Sequence, residues 1–413
     1  MAKKSIVLRG LTALLTFVFS LSIVTGVTLE AYKSTIDTNL GTQSEKFVSE
    51  STEADPLYNK FTPSAEVLNE DGTGNSHALI QKAMNLNRQQ AAEGAVLLKN
   101  ENNALPLASG SKVTLLGIRS HVPLVGSSFG VKAWGGFIDL EQALSQNKTD
   151  FANTITTSVN TNRKTGETTV GRTVSSWSGD EFEFEGAGYE INPTMVSIYE
   201  KLNETYNHAN NESPAEVYDP GEPSLAEIAA VDSSYESSFA KYGDASIVVI
   251  SRPSAESKDY LPGGIAEGLG ADEPLALTTN ERDIIETAKK ASEKVIVLVN
   301  TATAVEIGDL KNDPDIDAIL WIGFPGCYGM VGIADILCGR TSPSGGLPDI
   351  YPTYNMSAPA MQNMGKMYYT NTADVITRSG GLLSFTPGAY TIEAEGLYTG
   401  YRYYETRYAD CVN

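Results

Sequence analysis

The chain has 413 residues, 41% of them hydrophobic, enough to bury a large core, and at roughly 150 residues per domain it holds two or three units. Its 30 basic and 51 acidic residues give a net charge of −21, which argues against nucleic acid or anionic lipid as a partner of the body. Cys327, Cys338 and Cys411 lack C-x-x-C spacing and His77, His121 and His208 are scattered, so neither a zinc site, nor a disulfide framework, nor any other metal or cofactor is expected.

Lys3, Lys4 and Arg9 precede an uncharged, mostly apolar run from Gly10 to Leu29. A run of about 20 such residues is long enough to cross a bilayer as a helix, and the leading positive charges keep its N-terminal side in the cytoplasm. Residues 1–30 are read as one N-terminal transmembrane helix. The alternative is a cleaved signal peptide, although Val24-Thr25-Gly26 matches a cleavage site only loosely. Both readings place the body outside the cytoplasm, anchored in one case and secreted in the other.

Residues 31–75 are polar and read as a tether, with a turn at Asp71-Gly-Thr-Gly74. A helical pattern starts near Ser76 and runs through Ala91-Ala-Glu-Gly-Ala-Val-Leu-Leu98. The chain then turns at Asn100 to Pro106. Four short, β-branched apolar runs follow, at Val113–Gly117, Ala245–Ile250, Val295–Val299 and Ala318–Ile322. Nearly continuous runs of this kind are expected of strands buried on both faces. Helical patterns separate them, one starting at Thr279 as N-cap. This alternation predicts an α/β fold, a layered αβα sandwich with a largely parallel sheet, over residues 76–354.

A Thr/Ser/Asn-rich stretch and the acidic-aromatic patch Glu181–Glu185 interrupt the pattern near 145–190 and read as a surface insertion, a β-hairpin or a flexible excursion. From Trp321 to Pro348 the sequence predicts a strand end, a turn through Gly323, Gly326, Gly329 and Gly332, a short helix, and a Pro-Ser-Gly-Gly-Leu-Pro loop. Glycines there allow sharp turns and close approach of a ligand or a helix. A site wall and a plain strand-to-helix connection both fit. No G-x-G-x-x-G or G-x-x-x-x-G-K-[ST] is present, so no dinucleotide or phosphate is indicated. Residues 355–413 form a Tyr-, Met- and Gly-rich tail whose aromatics, from Tyr398 to Tyr408, expect a further domain to pack against.

Chemistry in such a fold sits on loops at the carboxyl ends of the strands. The loop after the second run, Ser251 to Tyr260, carries Glu256 and Asp259 beside Arg252 and Lys258. A carboxyl group there suits a general acid if burial raises its pKa; a solvated loop paired with Arg252 and Lys258 is the alternative.

Four blocks in order resemble the accessory α/β sandwich domain of glycoside hydrolase family 3, which includes many β-glucosidases. They are Ala91–Asn100 with Ala104–Leu107, Ile250–Asp259, Val295–Asn300, and the glycine-rich segment that ends in Pro-Ser-Gly-Gly-Leu-Pro; the tail Glu395–Tyr404 fits too. The anchor ahead of the domain resembles the subgroup in which the sandwich precedes the catalytic barrel. The resemblance implies a retaining mechanism on β-glycosides, with nucleophile and acid/base about 5–5.5 Å apart. It assigns the acid/base role to Glu256 and substrate binding to Arg252 and Asp259. Ala255 and Ser257 replace the glycines that flank this glutamate in the family. The family nucleophile is an aspartate in a Ser-Asp-Trp type motif on a (β/α)8 barrel, and neither motif nor barrel repeat occurs in the 413 residues. The expectation is the sandwich half of a β-glucosidase-like glycoside hydrolase, truncated or split, inactive alone. It would act on a β-glucoside or short β-linked oligosaccharide with a separate barrel as partner. The rival is a non-catalytic extracytoplasmic carbohydrate-binding or interaction module.

Overall fold

The structure is a computed structural model that describes residues 2–33, 64–70, 72, 74–126, 137–149, 155–161, 168–174, 182–205, 218–254, 259–365, 367–371 and 389–407. Two compact units comprise residues 1–64 and 65–413.

In the first unit, α1 spans Ala2–Ala31. From Leu8 to Ala31 its mean hydropathy is 2.0, and residues 8–33 are exposed on every face. The hydroxyls of Thr12, Thr16, Ser22 and Thr28 each donate to the carbonyl four residues earlier, so their polarity is satisfied inside the helix. By length and composition α1 is able to cross a bilayer, a test that a signal sequence also passes.

The second unit is a three-layer α/β/α sandwich. Its strands are β1 (Val96–Asn100), β2 (Lys112–Leu116), β3 (Glu190–Ile191), β4 (Ala245–Arg252), β5 (Val295–Thr301) and β6 (Ala318–Trp321). They lie in the order β1-β6-β5-β4-β2-β3. β1 is antiparallel to β6, and every other pairing is parallel. The four predicted runs are β2, β4, β5 and β6, and each is buried along nearly its whole length.

Alternate residues feed two cores. Ile247, Val249, Ile296, Leu298 and Leu320 pack on one face with α2 (Ser76–Gly94), α3 (Leu140–Ser145) and α8 (Met330–Leu337). Val248, Ile250, Val297, Val299 and Ile319 pack on the other with α4 (Pro193–Thr205), α5 (Leu225–Val231), α6 (Thr279–Ala291) and α7 (Gly308–Asn312). Each such branched side chain, fully buried, contributes about 1.5–3 kcal/mol.

Two details differ from the sequence reading. The helix that begins at Ser76 ends at Gly94 rather than running through Leu98, because Val96–Asn100 turns back as an antiparallel edge strand. The cap of α6 is Thr278, not Thr279: Thr278 Oγ1 accepts from the Glu281 N–H while the Glu281 carboxylate accepts from the Thr278 N–H. That reciprocal pair is a capping box, which needs Thr and Glu three residues apart. In the tail, Tyr403 Oη donates to Ser357 O at 2.7 Å, a contact between two parts of the tail, and Tyr404 is buried. Tyr368, Tyr369, Leu397, Tyr398 and Tyr401 remain exposed. Within the insertion, Ile155–Thr161 and Thr168–Val174 pair as an antiparallel ribbon.

Candidate functional site at the carboxyl edge of the sheet

Because β2, β4, β5 and β6 run parallel, the loops that follow them leave from one edge. From β4 the chain steps outward through β5 and β6, whereas β2 is flanked on its other side by β3. The winding therefore reverses between β2 and β4, where an open α/β sheet forms its ligand crevice.

A buried polar network fills this point. Gly117, the residue after β2, adopts φ +90°, and a Cβ there would lie 2.6 Å from Val249 O on β4. The chain then passes through Ile118-Arg119-Ser120. Ile118 N–H donates to Glu222 Oε2 at 2.9 Å, and Tyr199 Oη accepts from Gly117 N–H at 2.7 Å. Burial pushes the Glu222 carboxyl up to about 8, against the Ile118 hydrogen bond and the Arg119 charge, so this group holds a proton at neutral pH. The Tyr218 and Tyr260 rings meet edge to face at 5.0 Å, and the Arg252 guanidinium lies 5.7 Å from the Tyr218 ring centre. Burial raises both tyrosine hydroxyls well beyond their ordinary pKa. Tyr260 Oη donates to Pro253 O, which ties together the two ends of the loop after β4.

Arg252, the last residue of β4, is fully buried and engages all five of its N–H groups. Nη1 and Nη2 reach the Glu281 carboxylate at 2.5 and 3.0 Å, while Ser251 O, Pro274 O and Ala276 O accept the rest. Burial opposes its charge, yet Glu281 holds its pKa above the ordinary value. Arg252 thus has no donor left for a ligand and instead fixes where the loop starts. Glu256 lies outside the described residues. Asp259, three residues further on, is exposed.

The glycine-rich turn borders the same edge. Gly326 adopts φ +88°, and Asn87 clasps the turn by donating to Pro325 O and accepting from Tyr328 N–H. Gly329 and Gly332 serve packing: Cβ atoms there would lie 1.9 Å from Pro325 O and 2.1 Å from Arg88 O of α2. The plain-connection reading therefore describes these two glycines. Asn300, at the end of β5, accepts from Leu124 N–H and donates to Leu124 O and Gly323 O, joining the loops after β2 and β6.

Sequence reasoning missed Glu222, Tyr218 and Glu281. Only Glu281 had a local signal, its capping-box spacing from Thr278. Among the described residues no group of three or more His, Cys, Asp or Glu side chains is placed to hold a metal ion.

This architecture is that of a known hydrolase domain. The sequence model of the glycosyl hydrolase family 3 C-terminal domain matches residues 95–401, and the chain belongs to that family. It is 24% identical over 362 residues to beta-glucosidase A of Butyrivibrio fibrisolvens, covering 84% of this chain and 35% of that protein. It is 25% identical over 329 residues to exo-1,4-beta-xylosidase xlnD of Aspergillus niger, covering 75% and 32%. The fold also matches beta-glucosidase 3B from Thermotoga neapolitana in complex with glucose: TM-score 0.54, 22% identity, 83% of this chain and 38% of that one. The chain thus spans about a third of the length of these relatives.

Proposed function

We propose that this chain is the non-barrel part of a retaining β-glycosidase of the β-glucosidase type. Glu256 is its acid/base, and the nucleophile comes from a (β/α)8 barrel domain. The observation that carries the reading is the placement of the loop after β4: it leaves the carboxyl edge beside the sheet's switch point, held at its base by Arg252 and clasped by Tyr260. Arg252 acts by fixing the loop from beneath, and exposed Asp259 is the residue that meets sugar hydroxyls. The substrate is a β-glucoside or short β-linked oligosaccharide.

Double displacement needs two carboxylates, and the family nucleophile motif is absent from the 413 residues. The body alone is therefore inactive. An acid/base alone contributes about 10²–10⁴-fold, below typical enhancements of 10⁶ or more. Nitrophenol release from an aryl β-glucoside by residues 31–413, with and without an added barrel domain of this family, tests this. Turnover only in the mixture is expected; turnover by the body alone would overturn it. The second reading, a carbohydrate-binding module without catalysis, draws on Ala255 and Ser257 in place of the family glycines. It predicts no turnover in either case. The long apolar α1 supports a membrane-anchored protein with its body outside the cytoplasm.

A further inference from the structure

Two loops at the carboxyl edge are joined from outside by one piece of the C-terminal segment. Residues 353–364 carry two short helical turns, Asn355–Ser357 and Pro359–Gln362, closed on each other by Gln362 Nε2, which donates to Met356 O at 2.8 Å. At one end Asn355 is 4% exposed, and its N–H donates at 2.6 Å to Glu306 Oε1 in the loop after β5. Beside it, a Cβ on Gly308 would lie 3.1 Å from Thr353 Cγ2. At the other end Met361 packs against a small cluster of buried side chains, Tyr218, Tyr260 and Leu275, which stands apart from the two main cores. Tyr260 is the residue whose hydroxyl closes the loop after β4 onto Pro253 O. The backbone stitches the same cluster together. Tyr218 N–H donates to Gly264 O at 2.6 Å, Ala266 N–H to Tyr218 O at 3.0 Å, and Glu306 N–H to Leu275 O at 3.0 Å.

We propose that residues 353–364 are a strap that holds the descending arm of the loop after β4, residues 259–275, against Tyr218, with Met361 as the contact that sets its position. A cluster of three side chains has little apolar area, so the side chain that covers it carries much of its stability. Met356, Met361, Met364 and Met367, half of the chain's methionines, are gathered here and half-buried, whereas Met84, Met195 and Met330 are fully buried. Methionine is unbranched and fills irregular gaps, which suits a contact made between two loops rather than inside a core. Tyr403 Oη, donating to Ser357 O, holds the strap from the side of the tail. Releasing the strap frees the arm first and, through Tyr260, the loop that carries Glu256. Met361 is thus a positioning residue. Its bearing on Glu256 rests on the reading above, while the strap itself is a property of the body alone.

Hydrogen exchange of the full chain in detergent tests the strap without any catalytic step. Met361→Ala should speed exchange at the Tyr218, Gly264 and Ala266 amides about 10-fold and leave β5 unchanged. Met361→Leu, which restores an apolar contact of similar volume, should bring the three amides back to the wild-type rate. No change at these amides, no rescue by leucine, or an equal rise along β5 would overturn the strap, the last because the loss would then be global. In the wild type, residues 353–364 and 259–275 should open as one unit as denaturant is added. An arm that stays protected after the strap has opened would overturn the proposal without any variant. Failure of Glu256 as acid/base would leave all of these exchange results as they are.

Discussion

Arg252 and Glu281 meet in a two-pronged ion pair, at 2.5 and 3.0 Å, at the carboxyl end of β4. One ends β4 and the other lies in the first turn of α6, 29 residues later in the chain. The pair fixes the direction in which the loop bearing Glu256 sets out.

Breaking this pair from one side leaves a buried, unpaired charge, which costs about 3–5 kcal/mol. Glu281→Ala also loses the capping box with Thr278, about 1 kcal/mol more. Denaturant unfolding of residues 31–413 should show a loss of this size, with the slope unchanged. A loss below about 1 kcal/mol would mean that the pair is not closed in solution.

Gly332→Ala should destabilise the domain by about 1–3 kcal/mol, since its Cβ would sit 2.1 Å from Arg88 O and force α2 and α8 apart. Gly346→Ala, with open space around it, should be near neutral in the same measurement.

Asn300→Ala removes three hydrogen bonds that join the loops after β2 and β6, and leaves the Leu124 N–H and two carbonyls buried without it. The expected cost is about 2–3 kcal/mol, with faster amide exchange around Leu124 and Gly323. Unchanged exchange at both places would show that the two loops hold their positions without it.

Stability should fall as pH rises through neutrality. Glu222 titrates near 8 in the folded chain against an ordinary 4.5, so between those values the folded state keeps a proton that the unfolded state has lost. Its contribution is complete below about pH 4.5 and disappears as pH approaches 8, a few kcal/mol in all. Glu222→Gln should flatten the fall in melting temperature over this window. An equally steep fall in the variant would assign the titration elsewhere.

The central strands were legible because both their faces are buried: β2, β4, β5 and β6 are apolar runs with no alternation to confuse. β1 was not. Ala91 to Leu98 continues a helical pattern, and what ends the helix at Gly94 is tertiary, the pairing of Val96 with Trp321 and Asn100 with Ala318. Two residues, Glu190 and Ile191, make β3, too short for any period. At the site, the loop after β4 and its edge could be read from the order of strands. The partners of Arg252 could not, since Glu281, Pro274 and Ala276 reach it only through the fold. Glu222 looks like any surface acid in sequence, and only the packing of residues 218–222 against the end of β2 makes it a buried, protonated one.

The central claim is that Glu256 supplies the proton to the leaving group, and its dependence on that leaving group tests it most directly. In a barrel-completed protein, Glu256→Ala should lower turnover of an alkyl β-glucoside by about 10²–10⁴-fold. Its glycosylation rate on a dinitrophenyl β-glucoside, which departs without protonation, should change far less. Equal loss on both substrates, or no loss on either, would contradict the assignment.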